Sequence, residues 1–195
     1  MRSPLPSYLV LILAAAACGA PDGAVVDAAS GTDGAVPATC DGACRTTALT
    51  ARFGTTTRTL ERAAYGMTIG AGQAPTVRVE AYHGGAAGCP TEASPTPDYT
   101  LVLGAMPVPT SAAAVTSPAN LLDFVGDLLG GALGARATAV SLTPVAVDVC
   151  PTCVGGAAPS DPDGLIALDL SLTFAGGTVA GHLFATHCDS LDTRE

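Results

Sequence analysis

Ten residues near the C-terminus, Leu165 to Phe174 (LIALDLSLTF), alternate strictly between apolar and smaller or polar side chains. Ile166, Leu168, Leu170, Leu172 and Phe174 fall on one face and Ala167, Asp169, Ser171 and Thr173 on the other, the period of a strand with one side buried. Gly176-Gly177 and then Thr178 to Cys188 (TVAGHLFATHC) follow, so the two runs predict a hairpin around a glycine turn. Earlier candidates are Ala48 to Phe53, with Leu49, Ala51 and Phe53 inward; Arg58 to Met67; Thr76 to Tyr82, with Val77 and Val79 inward; and Tyr99 to Leu103. Thr138 to Val149 changes phase at Pro144, from Val140 and Leu142 to Val145, Val147 and Val149, which predicts a bulge or an edge position. About seven short strands between Gly and Pro clusters predict an all-β or mainly β domain, an antiparallel β-sandwich or open barrel.

One segment departs from that period. Ser117 to Leu133 places Leu121, Leu122, Val125, Leu128 and Leu129 at helical spacing, with Ser117 as N-cap, Pro118 at the first helical position and Gly130-Gly131 as the stop. This predicts a short helix packed on one end of the sheet. The same residues also allow a strand with Leu122, Phe124 and Leu128 on one face together with Gly126.

The N-terminus carries a different signal. Tyr8 to Ala17 (YLVLILAAAA) is an unbroken apolar run behind Arg2, too short to cross a hydrocarbon core about 30 Å thick at about 1.5 Å per residue. It reads as the apolar stretch of a signal peptide. Its end, Ala15-Ala16-Ala17-Cys18, resembles the lipobox of bacterial lipoproteins cut by signal peptidase II, with Ala15 where that family usually has Leu. The resemblance implies removal of residues 1–17, acylation of Cys18 with palmitate-type chains, and anchoring to a membrane through that lipid. Gly19 and Ala20 at the next positions permit outer-membrane delivery under enteric-type sorting, facing periplasm or exterior. Behind Cys18, Gly19 to Thr39 is Ala, Gly, Asp, Pro and Ser with little periodicity and predicts a disordered tether. The expected division is therefore a signal peptide at 1–17, an acylated cysteine and tether at 18–43, and a single β-rich domain at 44–195.

Setting Cys18 aside leaves Cys40, Cys44, Cys89, Cys150, Cys153 and Cys188. An even set in an oxidising compartment predicts disulfides, and six cysteines allow 15 connectivities. Cys188, at the end of the last long strand, is expected to join Cys89 or the Cys150/Cys153 pair, because a bond closing a long loop restricts the unfolded chain most. The formal charge is −9, and loss of Arg2 makes it more negative still, which excludes a nucleic-acid partner on electrostatic grounds.

Motifs for chemistry are sparse. Cys150-Pro151-Thr152-Cys153 has thiol-oxidoreductase spacing, but it follows a β-rich stretch and precedes Val154-Gly155-Gly156, where the redox enzymes open a helix. Cys150, Cys153, His187 and Cys188 have the ligand types of a zinc site, in a compartment that favours disulfides over thiolates. Val154 stands where covalent haem attachment needs His. His182 and His187 face opposite ways on a regular strand, and His187, Asp189 and Ser190 are too close in an extended chain to assemble a triad. Asp161-Pro162-Asp163-Gly164 holds a fragment of a calcium loop but is followed by Leu165, Ile166 and Ala167, so it predicts a turn. Tyr65, Tyr82 and Tyr99 could form an aromatic platform, although core packing accounts for each. The body resembles uncharacterised β-rich lipoproteins of GC-rich, myxobacterium-like organisms in its Cys-Pro-Thr-Cys and in Gly181-His182-Leu183-Phe184-Ala185-Thr186-His187-Cys188. The expectation is a non-enzymatic, cofactor-free envelope lipoprotein that binds or scaffolds an unidentified protein or small molecule. The alternative is a periplasmic thiol-redox or metal protein working through Cys150 and Cys153.

Overall fold

A computed structural model describes residues 34–150 and 164–194, so Cys18, Cys153, the Asp161-Asp163 turn and most of the expected tether lie outside the described residues. The described chain is β-rich. Its strands are β1 Ala48–Phe53, β2 Thr56–Leu60, β3 Arg62–Ile69, β4 Thr76–Gly84, β5 Pro97–Pro107, β6 Ala119–Asp123, β7 Gly134–Arg136, β8 Ala139–Asp148, β9 Leu165–Phe174, β10 Gly177–His187 and β11 Thr193–Arg194. Two short 3₁₀ turns, Gly42–Arg45 and Asp189–Leu191, complete the regular structure.

β9 and β10 form the expected hairpin, paired from Gly177–Phe174 to Thr186–Leu165, and β10 is the hinge of the fold. One edge of β10 is taken by β9, and β9 carries β8 beyond it. The other edge is shared: β1 pairs with Gly177 to His182, and β3 takes over at Thr186 and His187. Between them the Thr47 hydroxyl donates to the Phe184 carbonyl at 2.8 Å and accepts from its N–H at 3.0 Å, so the backbone is satisfied where neighbours change. The chain thus curls into two leaves, β2–β1–β10–β9–β8 and β3–β4–β5–β6–β7, joined along β10. At the far side Val115 bridges antiparallel to Leu142 of β8.

Both leaves turn their apolar faces to one core. Leu49, Leu60, Tyr65, Met67, Leu101, Leu103, Leu121, Leu142, Ile166, Leu168 and Leu172 are fully buried in it. The five inward residues of the Leu165–Phe174 run all belong to it, as do Leu49, Ala51, Phe53, Val77 and Val79. Ala167 is buried as well, on the opposite face, because a smaller cluster of Cys40, Ala146 and Leu165 covers it. The phase change at Pro144 is a register shift between Pro144 and Ala146. Beyond it Val149 packs on the main core and Val145 on the smaller cluster.

Several expectations need correction. Among the described residues the sheet has eleven strands rather than about seven, because Arg58 to Met67 breaks at Glu61 into β2 and β3 and because β6, β7 and β11 are short. It is mixed rather than antiparallel, since β3 runs parallel to both β10 and β11. Ser117 to Leu133 is no helix. Ala119–Asp123 pairs with β5, and the rest turns back on a buried carboxylate: Asp123, 2% exposed, accepts the N–H groups of Gly126 (2.6 Å), Leu128 (2.9 Å) and Leu129 (2.8 Å). Leu121 and Leu128 reach the core this way without helical spacing being used. The described residues that fall within the expected tether pack on the domain. Ala35 bridges Ser111, the Pro37 carbonyl accepts the Val147 N–H at 2.8 Å, and Cys40 is buried and bonded to Cys44, so residues from 34 onward belong to the domain.

Glycine decides how closely β1 approaches β10. Gly181 has φ +133°, and a Cβ there would lie 2.2 Å from the Ala48 carbonyl oxygen. Gly54, in the β1–β2 turn at φ +55°, has open space around it. Gly181→Ala is therefore expected to cost about 2–3 kcal/mol of unfolding free energy and Gly54→Ala about 1 kcal/mol, measured by urea titration. Equal costs would show that the close approach of β1 adds nothing at Gly181 beyond the backbone strain it shares with Gly54.

Candidate functional site

The β4–β5 connection, residues 85–96, is long, rich in Gly and Pro, and pinned at its middle by the Cys89–Cys188 disulfide. Of the two partners considered for Cys188, the structure joins it to Cys89. The C-terminal segment that carries Cys188 is itself held on β3. The Cys188 N–H donates to the Tyr65 carbonyl at 2.8 Å, and Gly66 leaves room for Leu191, whose backbone carbon would lie 2.3 Å from a Cβ at that position. Ser190 Oγ donates to the Pro90 carbonyl, closing the connection onto the same segment.

Beneath this clamped loop lies the outer face of β3 and β4, where register sets Arg62 opposite Tyr82, Ala64 opposite Glu80 and Gly66 opposite Arg78. Glu80 is 8% exposed, yet fully engaged: Tyr82 Oη donates to Oε2 at 2.7 Å and Arg78 Nη2 meets Oε1. Burial, then the bond to Glu80, pushes the Tyr82 phenol far above its ordinary range near 10. A raised folded-state pKa favours the protonated phenol, so its stabilising contribution is complete below about pH 10 and is lost as pH rises further. Alkaline absorbance titration is expected to show Tyr82 unionised past pH 10 in the native state. In Tyr82→Phe the part of the alkaline stability loss owed to this phenol should vanish.

On the other side of Tyr82 a cavity of about 520 Å³ opens between two disulfide-pinned walls. One wall is Arg45, Thr46 and Thr47, directly after the Cys40–Cys44 bond; the other is Ala87, Gly88 and Cys89, ending at Cys89–Cys188. Phe184, Ala64 and Thr186 contribute from the sheet. Arg45 holds its guanidinium over the Phe184 ring at 5.5 Å from the centroid. Arg62 reaches in from β3 and donates one N–H to the Gly84 carbonyl. Among the described residues neither arginine makes a salt bridge, whereas Arg58 pairs with Asp127 and Arg78 with Glu80.

The histidines are more engaged than isolated imidazoles on a strand. His83 Nδ1 meets Glu61 at 3.0 Å, and His182 lies between Asp169 (2.7 Å) and the Cys44 carbonyl (2.9 Å). His187 corrects the expectation that its neighbours point away, because the 3₁₀ turn after it curls the chain back. Its Nε2 lies 3.0 Å from Asp192 Oδ1 and its Nδ1 3.6 Å from Asp189 Oδ1. Asp192 Oδ1 also accepts the Met67 N–H at 2.8 Å, so the trio latches the C-terminal segment to β3. Ser190, committed to Pro90, stands apart from it. The zinc set of Cys150, Cys153, His187 and Cys188 is not assembled: Cys188 Sγ is bonded to Cys89, Cys150 is disulfide-bonded, and His187 turns to carboxylates. Tyr65 and Tyr99 are buried, leaving Tyr82 half-buried at the site.

A second feature lies on the turn after β6. Phe124, Val125 and Leu133 are 45%, 56% and 63% exposed, on a loop held by Asp123 from within and by Asp127 from outside. Tyr99 Oη donates to Asp127 at 2.5 Å and Arg58 Nη2 pairs with it. The Tyr99 bond, then the Arg58 bond, holds the Asp127 carboxyl below its usual range. No family model, curated protein or solved structure matches the chain. No helix among the described residues is long and apolar enough to cross a membrane.

Sequence reasoning found the cysteines but missed Arg45, Arg62 and Glu80. A signal was present for the third: Arg78, Glu80 and Tyr82 stand at period two between the inward Val77, Val79 and Ala81, which puts three polar groups on one outer face. Nothing local in the sequence announces that Arg45 and Arg62 line one cavity.

Proposed function

We propose that the chain is a non-enzymatic binding module of the bacterial cell envelope, a disulfide-tied β domain held on a tether by an acylated Cys18. The observation that carries this is the state of the cysteines: all five described ones are disulfide-bonded, in a chain whose seventh-cysteine arithmetic leaves Cys18 over. Such usage belongs to an oxidising compartment. The pinned loops around the cavity support binding, since they preorganise its walls.

Two measurements test it. Fractionation should place the wild-type chain with membranes and Cys18→Ser in the soluble fraction; co-fractionation of both with membranes would overturn the anchor. Thiol counting on denatured protein from the oxidising compartment should find no free thiol. Two free thiols at Cys150 and Cys153 would favour the metal alternative, and a reversible disulfide active in insulin reduction would favour the redox one.

A further inference from the structure

We infer that the cavity between the two disulfide-pinned walls is a binding site for a small organic carboxylate, with Arg45 and Arg62 as the anion-binding pair. The inference deepens the reading of this domain as a binding module and rests on it for its biological meaning, though not for its test.

Charge is the first argument. The chain has 17 acidic residues against eight arginines and no lysine, yet two of those arginines line one cavity and find no carboxylate within salt-bridge reach among the described residues. Guanidinium groups are matched to carboxylate oxygens by two parallel N–H donors, and two unpaired ones facing a common space lack only the anion. Glu61 at the rim does not fill the role, because it is turned to His83 at 3.0 Å.

Preorganisation is the second. The Arg45 side chain is laid on the Phe184 ring and Arg62 is fixed by its bond to Gly84, so each retains free N–H donors in a set direction. Their supports are fixed in turn. The wall carrying Arg45 is closed by Cys40–Cys44, and Thr47 clips it to Phe184 through both backbone groups of that residue. Less ordering is then left for a ligand to impose. The rest of the space is of mixed character: Phe184, Ala64 and the Tyr82 ring offer apolar surface, and Thr186 a hydroxyl. A volume of about 520 Å³ lies within the usual range of small-molecule sites, about 300–1,000 Å³. The class that fits is an acid with a flat apolar body, its carboxylate between the guanidiniums and its body along Phe184.

The test uses full-length protein extracted in neutral detergent, with 2-naphthoate as probe and 2-naphthamide as its uncharged counterpart, followed by calorimetry or ligand-observed NMR. The naphthoate is expected to bind at least tenfold tighter than the amide, and to weaken as salt is raised. Arg45→Ala and Arg62→Ala should each lose about tenfold, while Arg52→Ala, on the exposed side of β1, should bind as wild type. Glu61→Gln should bind the naphthoate more tightly by a few fold, which loss of folding could not mimic. Equal affinity for acid and amide, no binding of either, or wild-type affinity in both Arg45→Ala and Arg62→Ala would overturn the site. These results leave the anchor untouched, since acylation is read from the mass of the same preparation; an unacylated chain that binds naphthoate would overturn the anchor and keep the site.

Discussion

Replacing Cys89 and Cys188 together by alanine is expected to lower the unfolding free energy by about 4–5 kcal/mol, the larger effect of the two disulfides joining described residues. The reason is distance along the chain: the bond joins residues 99 apart, from the middle of the β4–β5 connection to the end of β10. In the chain-entropy account the denatured ensemble then regains about 4.7 kcal/mol of closure entropy for a loop near 100 residues. Cys40–Cys44 spans only four residues and should contribute about 2 kcal/mol by the same relation. Native stabilities run at about 5–15 kcal/mol, so the first double variant stands near the edge of folding and the second does not. Urea titrations of the two alanine pairs read this directly. Equal losses would show that strain or native contacts, and not loop closure, set the contribution of Cys89–Cys188.

The second large effect belongs to a residue with no role in binding. Asp123→Ala removes one buried carboxylate that accepts three N–H groups, those of Gly126, Leu128 and Leu129. Each donor left without a partner costs about 1–3 kcal/mol, and partial relaxation of the turn toward solvent brings the expected total to about 3–4 kcal/mol. Leu128 is buried in the main core, so the loss extends beyond the loop. Hydrogen exchange should show the Leu128 and Leu129 amides losing protection in Asp123→Ala ahead of the β9–β10 ladder. Asp123→Asn, which keeps one acceptor oxygen, should fall between the two. Unchanged protection at Leu128 and Leu129 would mean that the carboxylate does not hold this turn.

Asp123 also shows where legibility ended. Leu165 to Phe174 could be read residue by residue because its pattern is local: every second side chain meets the core, and one strand suffices to see it. The bulge at Pro144 was visible for the same reason. Ser117 to Leu133 misled because apolar residues at i, i+3 and i+4 arise equally from a short strand followed by a turn wound about a buried carboxylate. Which of the two forms is decided by pairing with β5, a long-range contact that periodicity does not encode. Parallel pairing of β3 with β10 was hidden likewise, being a consequence of β10 exchanging β1 for β3 partway along its edge. At the site, the cysteines could be counted but the arginines could not be paired. Arg45, directly after the Cys40–Cys44 bond, and Arg62, on β3, come to line one cavity from separate elements, so their juxtaposition belongs to the topology.

The exposed tip of Phe124, Val125 and Leu133 and the part-exposed trio of His187, Asp189 and Asp192 have structural accounts. Asp123 and Asp127 present the first, and the second fastens β11 and the segment before it to β3. Neither needs a cofactor to explain its geometry. Together with the oxidised cysteines they describe a domain stabilised from its edges, by bonds at the ends of strands and connections, around a core of modest aromatic content.

We propose that one cysteine carries lipid and the other six carry disulfides, and the intact mass of the chain extracted from membranes reads both at once. The expected mass is that of a chain that begins at Cys18, bears acyl groups on that residue, and lacks the six hydrogens that three disulfides remove. A chain with Cys18 unmodified, or with thiol hydrogens retained at Cys150 and Cys153, would contradict it.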